Sequence, residues 1–103
     1  MSGMFNFAPE SNASYSWSHF AAGYIAVGAA ASQGPNIPCE MVYLKADPDN
    51  DGQVWVGGTD VSGLNGIQLE AGDVFGWIPI KNLNLLHVVG SDASQVLHYA
   101  IVY

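Results

Sequence analysis

Residues 41–58, MVYLKADPDNDGQVWVGG, constrain the fold of this chain more than any other stretch. They read as a strand, a tight acidic turn and a second strand. Alternation sends Met41, Tyr43 and Lys45 to one face and Val42, Leu44 and Ala46 to the other. Asp47-Pro48-Asp49-Asn50-Asp51-Gly52 collects residues that end strands and tolerate turn geometry. Gln53 to Val56 resumes the β pattern, and Gly57-Gly58 stops it. The hairpin carries no catalytic signal.

Further β candidates follow at short intervals. With the hairpin they fall at about 41–46, 53–57, 67–69, 74–80, 85–90 and 95–102. Asn65-Gly66 suits a tight turn with positive backbone angles. Glu70-Ala71-Gly72-Asp73 is another turn, and Pro79 belongs at a strand end or sheet edge because it cannot donate a ladder hydrogen bond. Upstream, HFAAGYIAVGAAA (19–31) is mixed: its alanines favour helix, while Gly23, Gly28, Ile25 and Val27 oppose it. A strand near 24–29 is expected there, followed by a Pro/Gly/Asn loop at 32–38. Many short strands at this turn spacing predict an all-β sandwich or barrel. The last run, QVLHYAIVY (95–103), is apolar on both faces. That marks a central strand, or one whose outer face meets a partner.

The chain has 103 residues, room for one domain. Residues 1–18 differ from the rest: Phe5, Phe7, Tyr15 and Trp17 recur at spacings of two among Ser, Asn, Pro and Gly. They are read as an N-terminal arm or extension preceding a single domain at 19–103. Half of the residues are hydrophobic and 11% are charged. Charged residues average about 25% in free soluble domains, so part of this surface is expected to be covered by a partner. Nine acids face two lysines and no arginine, for a formal charge of −7. Nothing is available to neutralise phosphates, so neither nucleic acid nor an anionic membrane is expected as a partner. Cys39 is alone, and MSGMFNFAPESN lacks the charged and apolar regions of a secretory signal.

Asp47-x-Asp49-x-Asp51-Gly52 matches the first half of a calcium-binding helix–loop–helix motif. The second half is missing: Gly58 stands where a bidentate glutamate belongs, and strands flank the loop. An ordinary acidic turn is the leading reading, with Asp47, Asp49 and Asp51 as a weak metal candidate. His19, His87 and His98 lie at no metal-ligand spacing, and His87 and His98 are placed within β runs where they could be cross-strand neighbours. No nucleophile elbow, phosphate loop or dinucleotide fingerprint occurs, so no catalytic residue, enzyme activity or cofactor is assigned. Trp55 and Trp77 are expected in or beside the core. Leu97, Tyr99, Ile101 and Tyr103 share one side of the last strand and are the candidate self-association stripe.

From Cys39 onward the chain resembles small structural proteins of tailed bacteriophages. The resemblance runs through Cys39 before a strand, ADPDNDGQVWVGG (46–58), LEAGD (69–73), Asn82-Leu83 before a strand, and VLHYAIV (96–102). It implies a small antiparallel β-sandwich or jelly-roll-like domain carried on the virion. The implied role is decoration of the capsid exterior as a cement protein bridging neighbouring capsid subunits. Its implied partners are the major capsid protein and further copies of itself, as a homodimer or homotrimer. Assembly would take place in the host bacterial cytoplasm. On this reading Phe5, Phe7, Tyr15 and Trp17 are the expected capsid-contact residues. Two alternatives stand beside it: a head-fibre or tail module that binds a carbohydrate or receptor, and a small cupin-like metal enzyme using the three histidines.

Overall fold

The computed structural model describes residues 19–103. The strands are β1 (Phe20–Val27), β2 (Ser32–Gln33), β3 (Met41–Ala46), β4 (Val54–Gly57), β5 (Ile67–Leu69), β6 (Val74–Pro79), β7 (His87–Gly90) and β8 (Gln95–Val102). A 3-10 turn at Leu83–Leu85 precedes β7. The strands form two four-stranded antiparallel sheets. Sheet I has the order β1-β8-β3-β6, and sheet II the order β2-β7-β4-β5. Apart from the β4–β5 hairpin, successive strands alternate between the sheets. This is the interleaved order of a double Greek key, the jelly-roll form of the β-sandwich.

Alternation explains the packing. Val42, Leu44 and Ala46 of β3, Leu97 and Ile101 of β8, and Val54 and Val56 of β4 are all buried between the sheets. Fully burying each larger aliphatic side chain contributes about 1.5–3 kcal/mol, which is what holds the sheets face to face. Cys39 belongs to this core, its Sγ donating to the Ile80 carbonyl at 3.4 Å, and burial pushes its thiol pKa up.

Four sequence expectations shift. β1 begins at Phe20, ahead of the expected 24–29, because it pairs with all of β8, from Phe20 opposite Val102 to Val27 opposite Gln95. Gly23 belongs inside that strand: a Cβ there would lie 2.5 Å from the Tyr99 hydroxyl oxygen, so its missing side chain makes room for the ring across the pair. β7 starts at His87, later than the expected 85, because Asn82 caps the 3-10 turn by accepting from the Asn84 N–H at 2.9 Å. The β4–β5 turn centres on Gly63-Leu64, closed by reciprocal bonds between Ser62 and Asn65, and not on Asn65-Gly66. Finally, β8 carries His98 into sheet I while β7 carries His87 into sheet II, so the two are not cross-strand neighbours.

The alternation gives the sandwich two distinct ends. Loops 28–31, 47–53, 70–73 and 91–94 share one end, tied together by Gly90 N–H to Gly28 O at 2.8 Å and Ser91 N–H to Gln53 O at 2.9 Å. Loops 34–40, 58–66 and 80–86 share the other, where Cys39 N–H meets Lys81 O at 3.0 Å. β1 starts at this second end, so residues 1–18 join the domain there.

Candidate contact surfaces

The acidic turn is built to be a turn. Asp47 Oδ1 accepts from the Asp49 N–H at 2.7 Å, and Asp47 Oδ2 accepts from His98 Nε2 at 2.7 Å. The Asp49 amide and, after it, the His98 hydrogen bond hold the Asp47 carboxyl below its ordinary pKa. Asn50 pairs its side-chain amide with both backbone groups of Val96, at 2.9 and 2.8 Å, imitating one more strand residue beside β8. Gln95, only 1% exposed, accepts from Gly52 N–H at 3.0 Å. Its Nε2 donates to Asp51 Oδ1 at 2.7 Å, to Ala93 O at 3.2 Å and to Asp92 Oδ1. The carboxylates of Asp47 and Asp51 are therefore used as acceptors within the protein. Among the described residues no three His, Cys, Asp or Glu side chains gather as a metal site. The sequence did not single out Gln95 or Asn50; a glutamine opening a strand carries no signal until the loop it holds is known.

The charge pattern is polar along the long direction of the strands. Asp47, Asp49, Asp51, Glu70, Asp73 and Asp92, six of the nine acids, lie in the loops of the first end. The second end presents the exposed Leu64 and Leu85 together with Glu40, Asp60 and Lys81. Beside Tyr103 it has a shallow depression lined by Pro38, Cys39 and Glu40.

The outer face of sheet I carries three of the exposed large hydrophobic side chains, Tyr24, Val74 and Trp77. Register places its outward side chains in rows across the strands. One row is Ala22, Ala100 and Tyr43; the next is Tyr24, His98, Lys45 and Val74. Trp77 lies over Tyr43, with ring centroids 5.4 Å apart, and Phe20 meets its edge at 6.4 Å. Tyr24 is 67% exposed, Val74 51% and Trp77 44%. Lys45 and the Asp47–His98 pair are the charged groups along the two rows.

The expected self-association stripe is corrected by this geometry. Leu97 and Ile101 are buried in the core and Tyr99 packs against it; of the four, Tyr103 is exposed. Parity along β8 turns the stripe inward because sheet II covers that side, and the outward residues are Val96, His98, Ala100 and Val102. Phe5, Phe7, Tyr15 and Trp17 lie outside the described residues. The three histidines do not come together: His98 faces outward on sheet I, His87 lies in sheet II with its Nδ1 buried and without a hydrogen-bond partner, and His19 meets the Tyr103 ring at a tilt, with centroids 5.9 Å apart. Trp55 is half-buried on sheet II, where the 58–66 loop folds back over it at Gly63. No helix among the described residues is long and apolar enough to cross a membrane. Comparison with family models, with curated proteins and with solved structures finds no match for this chain.

Proposed function

We propose that this protein is a structural component of a tailed-bacteriophage particle, decorating the outside of the capsid and cementing neighbouring capsid subunits. The observation that carries the reading is the polarity of the sandwich. Acidic loops occupy one end, and the other bears exposed leucines and the junction with residues 1–18. A cement domain suits this division: a less acidic, chain-anchoring end toward the shell and a strongly acidic, solvated end away from it. Many such contacts on a symmetric lattice add interface free energy that must be lost before capsid subunits separate. The likeness to small phage structural proteins supports the virion setting. The jelly roll alone does not, since lectin domains and cupins share it.

Two other readings compete. A sugar-binding module would use an aromatic platform edged by hydrogen-bonding acids. Here Trp77 is bordered by Tyr43 and Phe20, and Trp55 is roofed by its own loop, so the aromatics favour protein contact. A cupin-like site would need His19, His87 and His98 on one wall, and they lie on separate surfaces.

The test is reconstitution. Heads lacking the protein are mixed with the full chain or with a variant lacking residues 1–18, then imaged and heated. Full-length protein is expected to occupy the head surface and raise the temperature of head rupture. The shortened variant should stay folded and leave the heads bare. Undiminished occupancy without residues 1–18 would remove the arm from the reading, and absence of any occupancy would sink the decoration role.

A further inference from the structure

We infer that the depression at the second end of the sandwich is the seat of Trp17 of the same chain, so that the segment before residue 19 is fastened to its own domain by one aromatic side chain. The inference goes beyond the decoration reading and does not depend on it, because the seat is read in the isolated protein with no capsid present.

The described chain begins at the rim of this depression. His19 is held at two points: its carbonyl accepts from the Tyr103 N–H at 2.9 Å, and its ring meets the Tyr103 ring with centroids 5.9 Å apart. Tyr103 is also one wall of the hollow, with Pro38, Cys39 and Glu40 as the others. Residues 1–18 therefore set out from a fixed point beside it. Trp17 precedes His19 by two positions, and two residues of chain span at most about 7 Å. Of the four aromatics in the segment, Phe5, Phe7, Tyr15 and Trp17, it is the one tethered closest to the hollow. A large side chain this near has few other apolar surfaces within reach.

The hollow suits an indole. Its walls are fixed before anything enters: Cys39 N–H donates to Lys81 O at 3.0 Å, Glu40 N–H to Val102 O at 2.7 Å and Ile80 N–H to Glu40 O at 3.1 Å, while Pro38 is bridged to Asn82. No wall residue has to be ordered when the hollow fills, so filling it loses little conformational entropy. Its volume is about 440 Å³, within the roughly 300–1,000 Å³ of sites that take one small ligand. The Pro38 ring and Tyr103, 49% exposed, offer apolar surface, and Glu40 adds an exposed carboxylate at the rim. Tryptophan matches that pairing: a large apolar body carrying one N–H donor that needs an acceptor once the ring is covered. The Glu40 carboxylate is that acceptor. Charge does not oppose the contact, because the indole is neutral and residues 1–18 hold a single acid, Glu10. Tethering selects the chain's own tryptophan over a neighbour's. A group on a short linker is present at an effective concentration of about millimolar, so a second copy at micromolar concentration is outcompeted roughly a thousandfold. The seat takes Trp17 out of the set available to a shell and leaves Phe5, Phe7 and Tyr15.

The experiment is NMR spectroscopy of the full chain, with Trp17→Ala and Trp17→Phe as variants. In the wild-type chain, nuclear Overhauser contacts are expected from the Trp17 indole to the rings of Pro38 and Tyr103, unchanged on dilution. Amide exchange at Cys39 should be at least roughly tenfold faster in Trp17→Ala than in the wild type, with Trp17→Phe in between. A Trp17 indole with no such contacts overturns the seat, as does Cys39 exchange that is equal in the wild type and Trp17→Ala. Contacts seen only between labelled and unlabelled copies in a mixed sample give the hollow to a second copy and overturn it too. So does a hollow that fills only when phage heads are added, which gives it to the shell. Should Trp17→Ala fail to fold, the Overhauser contacts of the wild-type chain decide alone. Head occupancy is scored separately: occupancy without the Trp17 contacts removes the seat and leaves the decoration role standing, and the contacts without occupancy do the reverse.

Discussion

At the scale of single residues, the polar hub at Gln95 explains why the acidic loops hold their shape. One buried amide supplies an acceptor to Gly52 and donors to Asp51, Asp92 and Ala93, joining two loops whose own charges repel. Gln95→Glu replaces the donor by a carboxylate facing two others. It is expected to destabilise the protein by about 3 kcal/mol at neutral pH. The acid so created has a raised folded-state pKa, so the loss should lessen as pH falls through that value and the group takes up a proton. Chemical denaturation at neutral and acidic pH measures both. Asp47 has the opposite sign. Its folded-state pKa is depressed, so its contribution is complete above the unfolded carboxylate value of about 3.9 and is lost as pH falls through the lower folded value. Asp47→Asn should therefore melt below the wild type at pH 7, with the gap closing below about pH 4.

At the scale of elements, the pairing of β3 with β6 depends on one glycine. The register slips between Val42 and Leu44, and Gly76 sits in the slip with φ +151°. A Cβ there would lie 2.9 Å from Tyr43 Cα and 3.0 Å from the Val42 carbonyl oxygen, both backbone atoms that cannot move aside. Gly76→Ala should destabilise by about 1–3 kcal/mol and loosen the Trp77–Tyr43 contact, seen as a red-shifted tryptophan emission. The Asn82-Leu83 step has a comparable physical role. Asn82 Oδ1 accepts from Asn84 N–H and from Ile37 N–H at 3.0 Å, pinning the 3-10 turn to the β2–β3 loop while Leu83 is buried. Asn82→Ala should cost about 1–2 kcal/mol in equilibrium unfolding, because two amides lose their acceptor.

At the scale of the whole molecule, six acids at one end make that end self-repelling. Raising sodium chloride from low ionic strength should raise the melting midpoint at neutral pH by screening the repulsion. Asp49→Asn, at an exposed turn position, should reproduce a small part of that gain at low salt, by a few tenths of a kcal/mol. A salt-independent midpoint would show that the loops are too well solvated to repel. The same polarity leaves a solvated acidic cap, a sheet face with exposed aromatics, and an end where residues 1–18 join the domain.

The strands at 41–46, 67–69 and 95–102 and the acidic turn between β3 and β4 were legible in the sequence. Alternation and turn chemistry are local, and local rules survive folding unchanged. The last run, apolar on both sides, was legible as either a central strand or one whose outer face meets a partner, and β8 is central in sheet I, between β1 and β3. Which side meets the core was not legible. Tyr99 and Tyr103 advertise a contact stripe as strongly as Ala100 and Val102 do, and only the position of sheet II turns Leu97 and Ile101 inward. Alanine and glycine on β1 looked ambiguous because their meaning is relational: Gly23 is read through the Tyr99 ring it faces, and Ala22 through the outward row it shares with Ala100 and Tyr43. The sequence by itself determined where the chain runs straight and where it bends. Tertiary structure alone decided which faces are surface, because that depends on residues more than 50 positions apart meeting across a sheet.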